Sequence, residues 1–260
     1  MNNVISDILS RIDSDNRNLP PTHLYNEGWL LCIILHWFSN NKDTSNHELE
    51  FFKNSKWYSE ALLPSPFLPE FRGDTLSEAH THADGVIGKF KIGSSGHGDL
   101  VLEDDCDQFI VIEAKMYSKL SKGIKNNTTY DQVTRNIACM SQIAANQRID
   151  EKQFKKLAFY VIAPEEQIKK ERSFREYTTK EIIKEKVFER VNNYYLNERE
   201  SFNSKLNWFN MYFISFIETI EIKCITWEEV IKYIHLHDPN FSHILNNFYN
   251  KCIHYNKKSK

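Results

Sequence analysis

The chain contains few of the residues that break or cross-link a fold. There are 8 glycines and 7 prolines in 260 residues, and three of the glycines fall between Gly93 and Gly98. No internal repeat or low-complexity tract is visible. The five cysteines are odd in number and widely spaced, and none forms a C-x-x-C pair. This pattern predicts neither a disulfide framework nor a zinc knuckle, and favours buried free thiols.

The chain also lacks an excess of basic residues. Thirty-three lysines and arginines stand against 35 acidic residues, for a net charge of −2. Proteins that bind nucleic acids often carry a basic excess, because neutralising phosphates drives their affinity. The overall balance gives no support for such a partner, but it does not exclude one, because a metal-binding cleft needs acidic residues of its own.

Long hydrophobic runs are missing as well. The longest apolar run, residues 30–38, is interrupted by His36 and is far shorter than the roughly 18 residues needed to span a bilayer. The N-terminal residues have no basic stretch followed by an apolar one, so no secretory signal is predicted. We therefore expect a soluble, cytoplasmic protein without a membrane partner.

Apolar residues (41%) and charged residues (26%) occur in the proportions of an ordinary packed domain. The length fits a single domain over residues 1–260, with a core at about 20–165 and a helical and strand extension at about 166–260.

Hydrophobic periodicity predicts an alternation of helices and strands. Helices are predicted at residues 4–13, 24–38, 50–62 and 129–148, and across the charged region 165–197 with a break at 177–179. A final pair of helices is predicted after Thr226, because Thr226-x-x-Glu229 is a capping-box pattern. An antiparallel three-stranded meander is predicted from residues 82–92, 99–102 and 109–115, with further strands at 157–163 and in 210–224. This order predicts an α/β fold with a central mixed β-sheet flanked by helices.

The most informative stretch is His97-Gly98-Asp99-Leu100-Val101-Leu102, followed after an acidic turn by Phe109-Ile110-Val111-Ile112-Glu113-Ala114-Lys115. Glu113 and Lys115 are two apart on a strand, so their side chains point to the same face. Asp99 begins the preceding predicted strand. Two carboxylates and an ammonium are thus expected to converge at one end of the sheet.

Two neighbouring carboxylates repel each other, and a divalent cation relieves that repulsion. Such a cation can also hold a phosphate and lower the pKa of water, while a lysine can stabilise the charge that develops on the phosphate. The predicted cluster therefore has the components of a phosphodiester hydrolase.

The combination of Asp99 with apolar-apolar-Glu113-x-Lys115 and a following helix resembles the PD-(D/E)XK, or restriction-endonuclease-like, nuclease superfamily. The resemblance covers about a quarter of the chain, and Gly98 replaces the proline of the family name. It implies that Asp99, Glu113 and the backbone carbonyl of Ala114 bind Mg²⁺, with Mn²⁺ as a substitute, and that Lys115 is catalytic. The expected activity is that of a nuclease acting on DNA.

The same resemblance implies a glutamate from the first helix and a glutamine from the helix after the motif. Glu27 and Gln132 occupy those positions. Each has a simpler interpretation, because Glu27 suits a helix N-terminus electrostatically and Gln132 could form a capping box with Thr129.

Basic residues follow the motif. Lys119, Lys122 and Lys125 lie in a polar loop, and Arg135 lies one turn into the next helix. They could contact phosphates, although a solvated loop would have the same composition.

Two alternatives remain open. The His80-x-His82 pair resembles a metal pair at a strand end, but the further ligands and βα units that such a site requires are not evident; His82 or Asp84 could instead line the nuclease cleft. The other alternative is a catalytically silent domain of the same fold that binds nucleic acid or a protein partner. Cutting both strands of a duplex often requires two sites, so a homodimer or a partner subunit is compatible with the prediction.

Overall fold

A five-stranded mixed sheet organises the chain, which confirms the predicted α/β class. The computed structural model describes residues 2–15, 17–41, 44, 46–93, 99–123 and 127–257, and of residues 2–4 and 7 only the backbone. Within these residues the strands are β1 (Lys56–Tyr58), β2 (Ala61–Leu63), β3 (Thr81–Ala83), β4 (Gly85–Gly88), β5 (Phe90–Ile92), β6 (Leu100–Leu102), β7 (Gln108–Ala114), β8 (Lys156–Ala163) and β9 (Glu221–Thr226).

The central sheet has the order β1-β4-β7-β8-β9. Strands β1, β4 and β7 pair in antiparallel fashion, whereas β7, β8 and β9 pair in parallel. Two small antiparallel sheets, β2-β3 and β5-β6, accompany it.

Helices cover both faces of the sheet. They are α1 (Asn2–Ser10), α2 (Glu27–Asn40), α3 (Gln132–Asn146), α4 (Glu165–Lys170), α5 (Ser173–Glu176), α6 (Lys180–Leu196), α7 (Phe202–Trp208), α8 (Ile214–Thr219), α9 (Trp227–His237) and α10 (Pro239–Asn256). Short 3₁₀ turns occupy Pro21–His23 and Glu151–Gln153, and a π-helical turn, Phe209–Phe213, joins α7 to α8. No helix of the described chain is long and apolar enough to cross a membrane.

Alternation along the buried strands produces two cores, because successive side chains of a strand point to opposite faces. Phe109 and Val111 of β7 belong to the core that α3 and α6 cover, while Ile110 and Ile112 belong to the core under α2, α9 and α10. The face on which a residue of β7 lies therefore determines which helices it meets.

Two secondary-structure predictions are wrong. Residues 50–62 form β1 and β2 rather than a helix, and left-handed backbone at Asn54 and Glu60 interrupts any helix there. Most of 210–224 is helical, and only Glu221–Thr226 forms a strand. The aromatic and β-branched composition suggested strands, but the buried residues of this segment recur at helical spacing: Phe213, Phe216, Ile217 and Ile220.

One of the two pairings of the predicted meander is confirmed and the other is wrong. Strand β6 pairs antiparallel with β5, which lies in the predicted strand 82–92, as expected, whereas β7 pairs with β4 and not with β6. In contrast, the predicted capping box at the start of α9 is confirmed, with Thr226 and Glu229 each accepting the other's backbone N–H.

Candidate active site

Two carboxylates meet where β4 and β7 pair. Gly85 lies opposite Ile112 in the antiparallel register, so one step further places Asp84 opposite Glu113. Asp84 Oδ2 accepts a hydrogen bond of 2.7 Å from the backbone N–H of Ala114. The Asp84 carboxylate also acts on Glu113, through its negative charge and through a hydrogen bond that forms when Glu113 is protonated.

Glu113 is almost completely enclosed, with 1% of its surface exposed. Its Oε1 accepts hydrogen bonds from Lys115 Nζ and from Gln132 Nε2, the latter at 2.7 Å, and its Oε2 accepts one from Asn136 Nδ2 at 3.2 Å. Glu113 shares a sheet face with Phe109 and Val111, which α3 covers, and this explains why the first turns of α3 supply two of its donors. Three donors therefore fix the orientation of the carboxylate.

Electrostatics follow from this enclosure. Burial raises the pKa of Glu113 above its ordinary range, and the neighbouring Asp84 raises it further, while Lys115 offsets part of the shift. Burial alone would lower the pKa of Lys115, but the carboxylates of Glu113, Asp84 and Glu27 outweigh it, so the net shift is upward. The ammonium is thus held in its charged form. It is one cationic group beside three acidic side chains, so acidic groups outnumber basic ones here.

The backbone of Lys115 is held from two sides. Its N–H donates to Ile162 O at 2.8 Å, and its carbonyl accepts from the indole Nε1 of Trp227 at 3.0 Å. Lys115 is 9% exposed, so little of its side chain is free to move. Both of these hydrogen bonds use backbone atoms of Lys115. The N–H groups of its ammonium therefore stay available, and one of them donates to Glu113.

Glu27 lies in the first turn of α2, where Asn26 caps the helix by accepting from the Trp29 N–H at 3.0 Å. Helix α2 packs closely on β4 because residue 85 is glycine; a Cβ there would lie 2.9 Å from Leu31 Cδ2. Burial raises the pKa of Glu27, Lys115 lowers it and Asp84 raises it. Glu27 therefore interacts with the same charged residues. It also lies in the first turn of α2, where the helix dipole favours an acidic side chain.

Asp99 does not lie across a hairpin from Glu113, contrary to the sequence prediction. It bridges to Leu62, and Leu62 pairs on its other side with His82. Two strand spacings, roughly 10 Å, thus separate Asp99 from the β3 backbone that leads into Asp84. The mistake arose because the meander prediction paired β6 with β7, and the carboxylate opposite Glu113 is instead Asp84.

The capping-box interpretation of Gln132 is wrong. Asp131 is the N-cap of α3, and its side chain accepts from the Thr134 N–H at 3.0 Å. Gln132 is left free to bond Glu113, and its Oε1 also accepts from the Ser121 N–H at 3.3 Å.

The basic residues predicted to contact phosphates lie in different surroundings. The guanidinium of Arg135 donates to the carbonyls of Ala79 and His80 at 3.2 and 3.0 Å and lies 3.5 Å from buried Glu78, so its donors are directed at the chain itself. Lys119 is 71% exposed and pairs with Glu171 at 3.2 Å, and Lys122 is exposed. Lys125 lies outside the described residues.

The histidine pair does not form a metal site in the part of the chain that the structure describes. There, no three His, Cys, Asp or Glu side chains are grouped closely enough to hold a metal by themselves. His82 is about half exposed and lies 3.9 Å from Glu60. Burial and the negative charge of Asp84 both raise the pKa of Glu60. These two residues are consequently at the outer edge of the site.

Sequence reasoning missed the roles of Asn136 and Trp227, whose contacts are long-range and leave no local pattern. Asp84 appeared only as a residue that could line the cleft, although its place directly before a buried strand was a usable signal.

Comparison of the chain with protein-family models, with curated proteins and with solved structures gives no match. The assignment of function therefore depends on the geometry and chemistry of the site.

Proposed function

We propose that the chain is a Mg²⁺-dependent nuclease of the PD-(D/E)XK, restriction-endonuclease-like type, which hydrolyses phosphodiester bonds and has DNA as its expected substrate. The observation that carries the proposal is the pair of buried Glu113 and half-buried Asp84 at the end of two paired strands, with the Lys115 ammonium hydrogen-bonded to Glu113. A charged cluster of this kind costs folding free energy, so a structural explanation alone accounts poorly for it.

The donor set fits Mg²⁺. This ion is usually bound through one or two carboxylates and keeps several waters, so the absence of a third acidic ligand among the described residues does not count against it. Asp84, Glu113 and the carbonyl of Ala114 would hold the ion. A carboxylate oxygen has about two lone-pair sites, and Asp84 Oδ2 accepts one hydrogen bond from the Ala114 N–H. The carboxylate of Asp84 therefore has lone pairs left to bind the ion.

A cation bound there would neutralise charge on the scissile phosphate and lower the pKa of the attacking water. The residues of the chain have separate tasks. Glu113 is oriented by Gln132 and Asn136, so its lone pairs are fixed in direction before the substrate arrives. Lys115 presents a positive charge beside the two carboxylates, where it can stabilise negative charge that accumulates on the phosphate oxygens. Glu113 and Lys115 are buried, and the low dielectric around them strengthens their interactions with charged groups.

The decisive experiment compares two aspartates. We expect Asp84→Asn to reduce cleavage of plasmid, linear single-stranded DNA or RNA in the presence of Mg²⁺ or Mn²⁺ by at least about 100-fold, as does loss of a preorganised electrostatic group in other enzymes. Lys115→Ala should have a comparable effect. Asp99→Asn is the matched control and should retain most of the activity, because Asp99 is on a different pair of strands.

Loss of activity in Asp99→Asn with full activity in Asp84→Asn would refute this site. A wild-type protein that neither cuts any of the substrates nor binds Mn²⁺ in a calorimeter would instead support a silent binding domain. Comparing supercoiled plasmid with single strands also identifies the substrate class.

A further inference from the structure

A groove opens at the turn that follows Lys115 in the chain. Its volume is about 1210 Å³, larger than the roughly 300–1,000 Å³ typical of small-molecule sites. One bank is the turn after Lys115, residues 116–119, and the other is formed by α4 and the end of α10. The first bank therefore follows the proposed active site directly in the sequence. The groove has room for a segment of a polymer.

The turn on the first bank has an unusual backbone. Tyr117 has φ of 65°, a left-handed conformation that is unfavourable for a bulky residue. Buried Gln167 holds it in place: its Oε1 accepts from the Tyr117 N–H at 2.9 Å, and its Nε2 donates to the Ser118 carbonyl at 2.5 Å. A dedicated amide thus maintains the conformation that puts the Tyr117 ring in the groove wall.

Positive charges stand on both banks. Lys119 is on the same bank as Tyr117, while Lys170 and Lys257 are opposite, and Lys257 Nζ lies 5.5 Å from the centre of the Tyr117 ring. Two carboxylates, Glu166 and Glu171, pair with these lysines. The pairs are well exposed, and exposed pairs contribute little, so the ammonium groups can exchange a carboxylate for a phosphate.

We infer that this groove binds a single strand of nucleic acid, with one base stacked on Tyr117 and the backbone contacted by the lysines of the two banks. The inference rests on the proposed nuclease function and specifies its substrate class. An aromatic ring between lysines is the arrangement that recognises unpaired bases, since every base has a face to stack and phosphates alternate with the bases. In a duplex those faces are already covered by neighbouring bases, so a duplex could not use the ring.

The test measures binding separately from chemistry. Fluorescence anisotropy of fluorescein-labelled (dT)₁₂ is recorded without divalent metal in the Glu113→Gln background, with a blunt duplex hairpin as the comparison. Tyr117→Gly removes the ring but permits the positive φ, and we expect it to weaken (dT)₁₂ binding by about 5- to 150-fold, the range found for loss of one stacked base. Tyr117→Phe should bind as the parent does.

The charged residues of the groove give a second test, in which one substitution should weaken binding and another should tighten it. Lys257→Ala should weaken binding and reduce the salt dependence by about 0.7 in the slope of log K against log salt concentration. Glu166→Gln frees two lysines and should tighten binding. The Lys184–Glu218 pair on α6 and α8, on the other side of the sheet, supplies matched controls, and neither Lys184→Ala nor Glu218→Gln should change the affinity.

Equal affinity of Tyr117→Gly and the parent, with both folded by circular dichroism, would overturn the inference, as would a duplex that binds as tightly as (dT)₁₂. Tyr117-dependent binding of (rU)₁₂ would support it, because stacking does not read the sugar. Failure of the two proposals can be distinguished: Tyr117-dependent binding without any cleavage refutes only the nuclease, whereas cleavage that is indifferent to Tyr117 refutes only the groove.

Discussion

The proton of Glu113 links the stability of the metal-free protein to pH, and Glu113→Gln isolates that link. Burial and the neighbouring Asp84 raise the pKa of Glu113 in the folded state above its value of 4.5 in the unfolded chain. A group of this kind contributes stability that is fully present below the unfolded pKa and is lost as the pH rises through the folded pKa. The metal-free protein should therefore lose stability from about pH 4.5 upward.

The glutamine side chain has nearly the same size and shape as the glutamate it replaces. Its carbonyl can accept from Lys115 and Gln132 as the carboxylate did. Its NH₂ group can donate to Oδ1 of Asn136 after that amide turns over, and this oxygen has no hydrogen-bond partner within the described structure. The substitution thus removes the charge and leaves the shape and most of the contacts.

The magnitude follows from linkage. Each unit by which the fold raises the pKa corresponds to about 1.4 kcal/mol of unfolding free energy. For a chain of this size, 1 kcal/mol shifts Tm by roughly 2–4 °C. Wild type and Glu113→Gln should have similar Tm values near pH 5, and the variant should become the more stable one by several degrees at pH 8 to 9.

Thermal unfolding in EDTA between pH 5 and 9 measures this difference, in which the titrating groups away from the site cancel. Millimolar Mg²⁺ should then raise the Tm of the wild type at pH 8 much more than at pH 5, because the ion binds the deprotonated site, and should leave the variant unchanged. Parallel Tm curves for the two proteins across this pH range would refute the reasoning.

Two other substitutions test the supports of the site. Gln132→Ala removes a donor to Glu113 but not the N-cap of α3, so cleavage should fall by about 10- to 100-fold with little loss of stability. The control, Gln142→Ala on the same helix, should leave cleavage intact. Equal cleavage rates for the two variants would contradict a positioning role for Gln132. Arg135→Met leaves Glu78 buried beside an apolar group, and we expect a loss of about 3 kcal/mol in chemical denaturation. A stable Arg135→Met protein with weakened nucleic-acid binding would restore the phosphate-contact interpretation.

Local sequence patterns predicted the parts of this protein that depend on neighbouring residues. Alternation along residues 109–115 showed that Glu113 and Lys115 share a face at the end of a buried strand, because side chains of a strand alternate strictly. The spacing of Thr226 and Glu229 predicted the start of α9, because a capping box closes within one helical turn.

Only the tertiary structure decided which carboxylate faces Glu113. Alternation is the same whichever strand is the partner, so the sequence could not distinguish β4 from β6 as the neighbour of β7. The choice depends on how whole elements pack: the close approach of α2 to Gly85 brings Glu27 to β4, and the cover of α3 brings Gln132 and Asn136 to Glu113. Those contacts join residues far apart in the chain, and no local pattern encodes the free energy that selects them.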